Sequence, residues 1–375
     1  MLATMLRLAV LFVFFATSVA APLAAQRTLH DLEKQFIKES RRLDREASNE
    51  QRDQLLAQQI GLLQTFLVDE AKGDDRWNGR LMLADFQLAT GNRVAATKSL
   101  CSIETAAAPA LLLVTAATMA QHLNLKDQRA AWIAAAVKKQ SPVTDRLAMA
   151  RMLMTVLREV QLGEDLFKQT LAAATDDDQR SFIRWHLADA LRDREDLPDN
   201  AGFEELEKLA KELPQTYWGS VAADRLRATR LLVGDDAIEL QGKTRSGEAF
   251  VLKEQQGKAV MLVFWSLADR DLPTLLALVK ELRTRHGAKL AVLGICLDRD
   301  LDAIAAAVAE LGIDIPVIAD GKGIECDPAL RWFVEGPRVN VIDHNGKVAG
   351  LGLHAGTADA RRELQDVVAG AIKPQ

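Results

Sequence analysis

Few residues in this chain could do covalent chemistry. There are three cysteines, Cys101, Cys296 and Cys326. The thiolate is the nucleophile and redox centre of cysteine chemistry, so these three bound any thiol–disulfide activity. Three cannot all pair internally: at most one disulfide forms and one thiol is left over. Cys101, in the apolar run Leu100–Ile103, reads as a buried small hydrophobe. Ser266 is a second nucleophile by type, but no histidine stands near it in sequence to act as base. Asp269 and Asp271 flank Arg270 just before a helical pattern. Acceptors and negative charge are favoured at a helix N-terminus, so both read as caps, with Arg270 at the loop tip. Asp298-x-Asp300-x-Asp302 has the opening spacing of a calcium loop but lacks the glycine and the distal glutamate. It too reads as capping the following helix. His122 and His186 have no second histidine at i+3 or i+4. No metal and no cofactor is read from the sequence.

These residues sit in a chain of 375 residues with a net charge of −5 and no basic stripe, which gives no case for nucleic-acid binding. Its length fits about two domains. The first 25 residues have the pattern of an export signal: Arg7, the apolar run Leu8–Phe15, then the small-residue stretch Ala16–Ala25 with Ser18-Val19-Ala20 as a cleavage site. The apolar core is too short for a membrane span, and no later stretch approaches 18 apolar residues. The mature chain is therefore expected to be exported, periplasmic or elsewhere in the cell envelope. Thiols are normally paired in such a compartment.

Residues 26–230 read as helix after helix, with apolar residues at i, i+3, i+4 and i+7. A weak repeat runs through them. Ala84, Ala117, Ala150 and Ala188 head similar segments, and each segment is followed by a polar break and a second helix. The breaks are read at Thr90–Asn92, Asn124–Gln128, Gln161–Glu164 and Asp193–Asn200. A small residue inside a helix admits a close neighbour, and a period near 34 is that of tetratricopeptide-like hairpins. Arrays of this kind present concave protein-binding surfaces. Trp77, Trp132, Trp185 and Trp218 are expected in helix packing.

The pattern changes at about Leu231. The spacing predicts a hairpin around Arg245-Ser246-Gly247, a buried strand over Val260–Phe264 and a helix from about Pro273 ended by Gly287. A second buried strand follows over Lys289–Leu297, then a helix over Asp298–Leu311 and a short helical stretch at Pro328–Val334. A hairpin, Val339–Ile342 with Val348–Leu353, turns at Asn345-Gly346. Thr357–Ile372 closes the chain as a helix.

Four segments in this order resemble the TlpA/ResA-like, redoxin (AhpC/TSA-type) branch of the thioredoxin superfamily. They are Gly257-Lys258 with Val260–Trp265, Leu293–Asp298, Asp320–Gly323 with Ala329–Val334, and Gly336-Pro337 through Gly346-Lys347. The resemblance covers about Val233–Gln375. It implies a thioredoxin-like three-layer α/β/α domain (231–375) after the all-helical repeat-like domain (26–230). It further implies exported thiol–disulfide chemistry, a cis-proline at Pro337 and a groove for an extended peptide. That chemistry needs Cys-x-x-Cys just after the Phe-Trp pair, the first cysteine activated at a helix N-terminus. Here the run is Phe264-Trp265-Ser266-Leu267-Ala268-Asp269-Arg270-Asp271-Leu272-Pro273, with no sulfur and about four residues fewer.

The expected function is therefore a degenerate, redox-inactive thioredoxin-fold module that binds a protein or peptide in the cell envelope. The expected groove residues are Trp265, Ser266, Asp269, Arg270, Asp271, Trp332, Gly336 and Pro337. The alternative is a thiol–disulfide oxidoreductase using Cys296 and Cys326, which the resembled fold brings toward the same edge of the sheet and which could pair. A third reading is a scaffold whose helical array does the binding.

Overall fold

The computed structural model describes residues 28–42, 48–69, 71–198 and 200–373. The segment read as an export signal, 1–25, lies outside them. The N-terminal helices are α1 Leu29–Arg42, α2 Asn49–Asp69, α3 Gly73–Ala89, α4 Arg93–Cys101, α5 Ala110–Leu123, α6 Lys126–Ala136, α7 Val143–Thr155, α8 Val160–Ala172, α9 Asp177–Arg192, α10 Ala201–Glu212 and α11 Tyr217–Ala228. None of the described helices is long and apolar enough to cross a membrane.

Helices α3 to α10 pair as antiparallel hairpins, α3/α4, α5/α6, α7/α8 and α9/α10. Ala84, Ala117, Ala150 and Ala188 lie in the first helix of each, and all are buried. What they make room for is visible in two hairpins. A Cβ built on Gly163 would come within 2.7 Å of the Ala150 carbonyl oxygen, and one on Gly202 within 2.6 Å of the Ala188 carbonyl oxygen. Both glycines let the second helix lie against the small residue of the first. This corrects the break expected at Gln161–Glu164. Those residues are helical, Gly163 is a packing glycine, and the chain turns instead at Val156–Glu159 with Arg158 at φ 60°. Cys101 is also corrected. It ends α4 on the exposed side while Leu100 and Ile103 go inward. Trp77, Trp132 and Trp185 are core residues. Trp218 is half-buried and stacks at 5.0 Å on Trp185.

The remaining elements are β1 Gln241–Lys243, β2 Ala249–Val251, β3 Ala259–Trp265, α12 Leu272–His286, β4 Leu290–Cys296, α13 Leu301–Glu310, β5 Val317–Ile318, α14 Asp327–Arg331, β6 Arg338–Ile342, β7 Val348–Leu353 and α15 Ala358–Ile372. Strand β5 is absent from the sequence reading, because two residues after a proline leave no period to detect. Strands β1 and β2 form a separate hairpin, and the main sheet runs β5-β4-β3-β6-β7. Strand β3 is central, parallel to β4 and antiparallel to β6.

All seven residues of β3 are buried, and they alternate between two cores. Ala259, Met261, Val263 and Trp265 pack with α12, α13 and α15 through Leu275, Leu282, Ile304 and Leu364. Val260, Leu262 and Phe264 pack with Phe250, Cys326, Trp332 and Val334 on the other face. A strand covered on both sides needs an unbroken apolar run, which is what residues 259–265 supply. Each large side chain so buried contributes about 1.5–3 kcal/mol.

The chain divides into two compact units. One runs to Ala174 and includes Asp193–Asp196. The other comprises Thr175–Arg192 and Leu197 onward, so α9–α11 pack with the sheet. Secondary structure changes from helix to strand after Ala228, but compact packing divides the chain more than fifty residues earlier.

Candidate functional site

Strand β3 delivers the chain to a short loop, Ser266–Asp271, which opens α12. The parallel register sets Trp265 beside Cys296 and continues as Leu297 N–H donates to the Trp265 carbonyl at 2.8 Å. That places Asp298 against the loop. Its Oδ1 accepts from Ser266 Oγ at 3.0 Å. Its Oδ2 accepts from the Leu267 N–H at 2.7 Å and from Cys296 Sγ at 3.5 Å. Ser266 Oγ in turn accepts from the Ala268 N–H at 3.2 Å, and the Asp269 N–H closes a turn onto the Ser266 carbonyl at 3.0 Å. The first residues after β3 are thus tied down by one carboxylate. Charge-assisted bonds of this kind are the stronger class.

Asp298 was expected to cap a helix. Asp300 does that, accepting from the Ala303 N–H at 3.0 Å, while Asp298 clamps the loop. Strand register shows why. Asp298 lies two residues beyond the end of a strand parallel to β3, and it faces the chain where that strand also ends. Asp269 forms a local turn by accepting from the Asp271 N–H at 3.0 Å. Asp271 makes no side-chain cap bond. Its carboxylate lies against Gly356, where a Cβ would come within 2.3 Å of Asp271 Oδ2, so a larger residue there would turn the exposed Asp271 side chain aside.

The expected groove residues fall into two groups. Ser266, Asp269, Arg270 and Asp271 share the loop. Arg338 pairs with Phe264 across β3 and β6, so the Gly336-Pro337 segment arrives at the same end of the sheet. Trp265 and Trp332 do not line that edge. They are 0% and 4% exposed, in the cores on opposite faces. Gly294 lies under the Trp265 ring, where a Cβ would come within 3.1 Å of Nε1. The cis bond that the resemblance implies at Pro337 is also corrected: no described peptide bond is cis. Two cavities are lined by other residues. One, of about 500 Å³, lies between Ala210, Leu226 and Arg230. The other, of about 230 Å³, lies between Lys253, Lys258 and Asp343.

Cys296 and Cys326 are both 1% exposed and unpaired, and their side chains join different cores. Burial pushes the Cys296 thiol up to about 12 and the Cys326 thiol up to about 11. The neighbouring Asp298 charge adds to the rise at Cys296. Both thiols therefore stay protonated at neutral pH. An activated cysteine needs the opposite surroundings, an electropositive and partly exposed site. Iodoacetamide at pH 7.5 is therefore expected to label Cys101 in the folded protein, and to label Cys296 and Cys326 at least about a hundredfold more slowly. Peptide mass spectrometry against time, with and without urea, reads this directly.

Residues 233–350 match the family model for the AhpC/TSA family. The chain is 25% identical over 153 residues to the thioredoxin-like protein YneN of Bacillus subtilis, a match spanning 40% of this chain and 86% of that protein. Among solved structures it is similar to a thiol:disulfide interchange protein of Chlorobium tepidum. That match has 21% identity and a TM-score of 0.30, and covers 38% of this chain and 99% of the other. It is also similar to a thiol-disulfide oxidoreductase of Bacteroides fragilis, at 20% identity and a TM-score of 0.31 over 36% and 99%. The C-terminal sheet is thus a thioredoxin-like, redoxin-type domain, preceded by an all-helical region.

Proposed function

We propose that this is an exported thioredoxin-fold protein that has given up thiol exchange and binds a protein or peptide in the cell envelope. In this reading residues 1–25 are the export signal, 26–230 the helical region and 231–375 the redoxin domain. Ser266, Asp269, Arg270 and Asp271, with Gly336 and Pro337, form the binding edge. The observation that carries it is the loop after Trp265. It holds no sulfur, and Asp298 fastens it from the next strand. The two cysteines nearby are buried and strongly protonated, which supports an inactive site. Backbone pairing with an extended peptide needs no cysteine.

The test is site-specific photo-crosslinking in the intact chain. A crosslinker replacing Arg270 should capture a discrete protein from envelope extracts. The same reagent at Lys258, exposed at the opposite end of β3, should not. Equal capture at both positions, or none at Arg270, contradicts the proposal.

A further inference from the structure

We infer that α9–α11 are an integral part of the redoxin fold, and that they clamp the segment leading into Pro337. The segment is held from its start. Arg331, on α14, donates from Nη1 to Asp224 at 2.5 Å and to Ser220 Oγ at 3.0 Å, both on α11, while its Nε reaches Asp327 at 3.0 Å. The Tyr217 hydroxyl, also from α11, donates to the same Asp327 at 2.8 Å. Leu330 packs into the cluster of Trp185, Ala188, Leu206, Leu209, Val221 and Ala222, which is the core of the three helices.

Phe333 is the telling residue. It has φ 49°, a left-handed conformation that a bulky L-residue holds only when its surroundings impose it. Those surroundings come from the three helices. The ring meets Phe203 edge-on at 5.9 Å, with the Arg225 guanidinium over it at 4.6 Å and that of Arg192 at 5.6 Å. Arg225 is buried, paired with Asp189 at 3.2 Å, and lies over Trp185 as well. Two residues on, Glu335 pairs with Arg192 at 3.0 Å. Gly336, Pro337 and β6 follow at once. A stretch of chain with a strained residue at its centre is thus fixed by three helices that precede the redoxin match in sequence. The segment they fix is the one that meets β3 at the candidate site.

A clamp of this kind makes helices and sheet one cooperative unit, and hydrogen exchange on the full chain tests it without a partner. The result therefore stands apart from the proposed binding role. Leu364→Ala opens the sheet core far from the three helices, since Leu364 is fully buried under β3. If α9–α11 belong to the redoxin fold, the slowest-exchanging amides of α9–α11, β3 and β6 all lose protection by the same factor, about tenfold or more. Ile304→Val gives the same comparison at smaller amplitude if Leu364→Ala does not fold. Arg331→Ala should in addition speed exchange in α11 and in residues 327–338 together. Loss of protection in the sheet with α9–α11 unchanged overturns the inference, as does an Arg331→Ala effect confined to α14.

Discussion

Asp298→Ala is expected to destabilise the C-terminal unit by about 2–4 kcal/mol. The carboxylate accepts from Ser266 Oγ, the Leu267 N–H and Cys296 Sγ. Alanine leaves a half-buried backbone N–H and a hydroxyl without acceptors. A bond to a charged group is worth about 1.5–3 kcal/mol, and an orphaned buried donor costs about 1–3 kcal/mol. Asp298→Asn should fall between alanine and the parent, because an amide keeps one accepting oxygen and loses the other. Labelling of Cys326 against urea reads the effect, since that thiol is buried in the same unit. An unchanged midpoint would mean the loop is held by something other than Asp298.

Asp189→Ala is expected to cost about 3–4 kcal/mol in the same assay. Arg225 has a side-chain exposure of 5%, and Asp189 is the carboxylate it pairs with. Removing one partner of a buried ion pair leaves the other charge uncompensated, which is far worse than replacing both. The double variant Asp189→Leu with Arg225→Met should therefore recover part of the loss. The Trp185 and Phe333 rings on either side of the guanidinium could pack against a methionine. A double variant less stable than Asp189→Ala would show that the cation on the two rings, rather than the pair, dominates.

The fold was legible wherever periodicity was long. The run 260–264, the helix ended by Gly287 and the hairpin at Asn345-Gly346 each carry enough residues to set a period or a turn type. The internal repeat was legible through one buried alanine per hairpin. Misreadings came where one residue type has two uses. Gly163 punctuates in a sequence but here lets two helices touch. Trp265 sits where a reactive loop begins, yet its ring fills the core over Gly294. Asp298 has the spacing of a cap, and only strand register shows it facing Leu267. Nothing in the sequence indicated that α9–α11 pack with the sheet. That follows from contacts such as Arg331 with Asp224, more than a hundred residues apart, which no local pattern encodes.

The central claim is that this redoxin domain no longer exchanges thiols, and reduction of insulin disulfides by the full chain with dithiothreitol tests it most directly. The account predicts a rate equal to that of dithiothreitol alone, unchanged by Cys296→Ser or Cys326→Ser. Turnover above that background, abolished by either substitution, would contradict it.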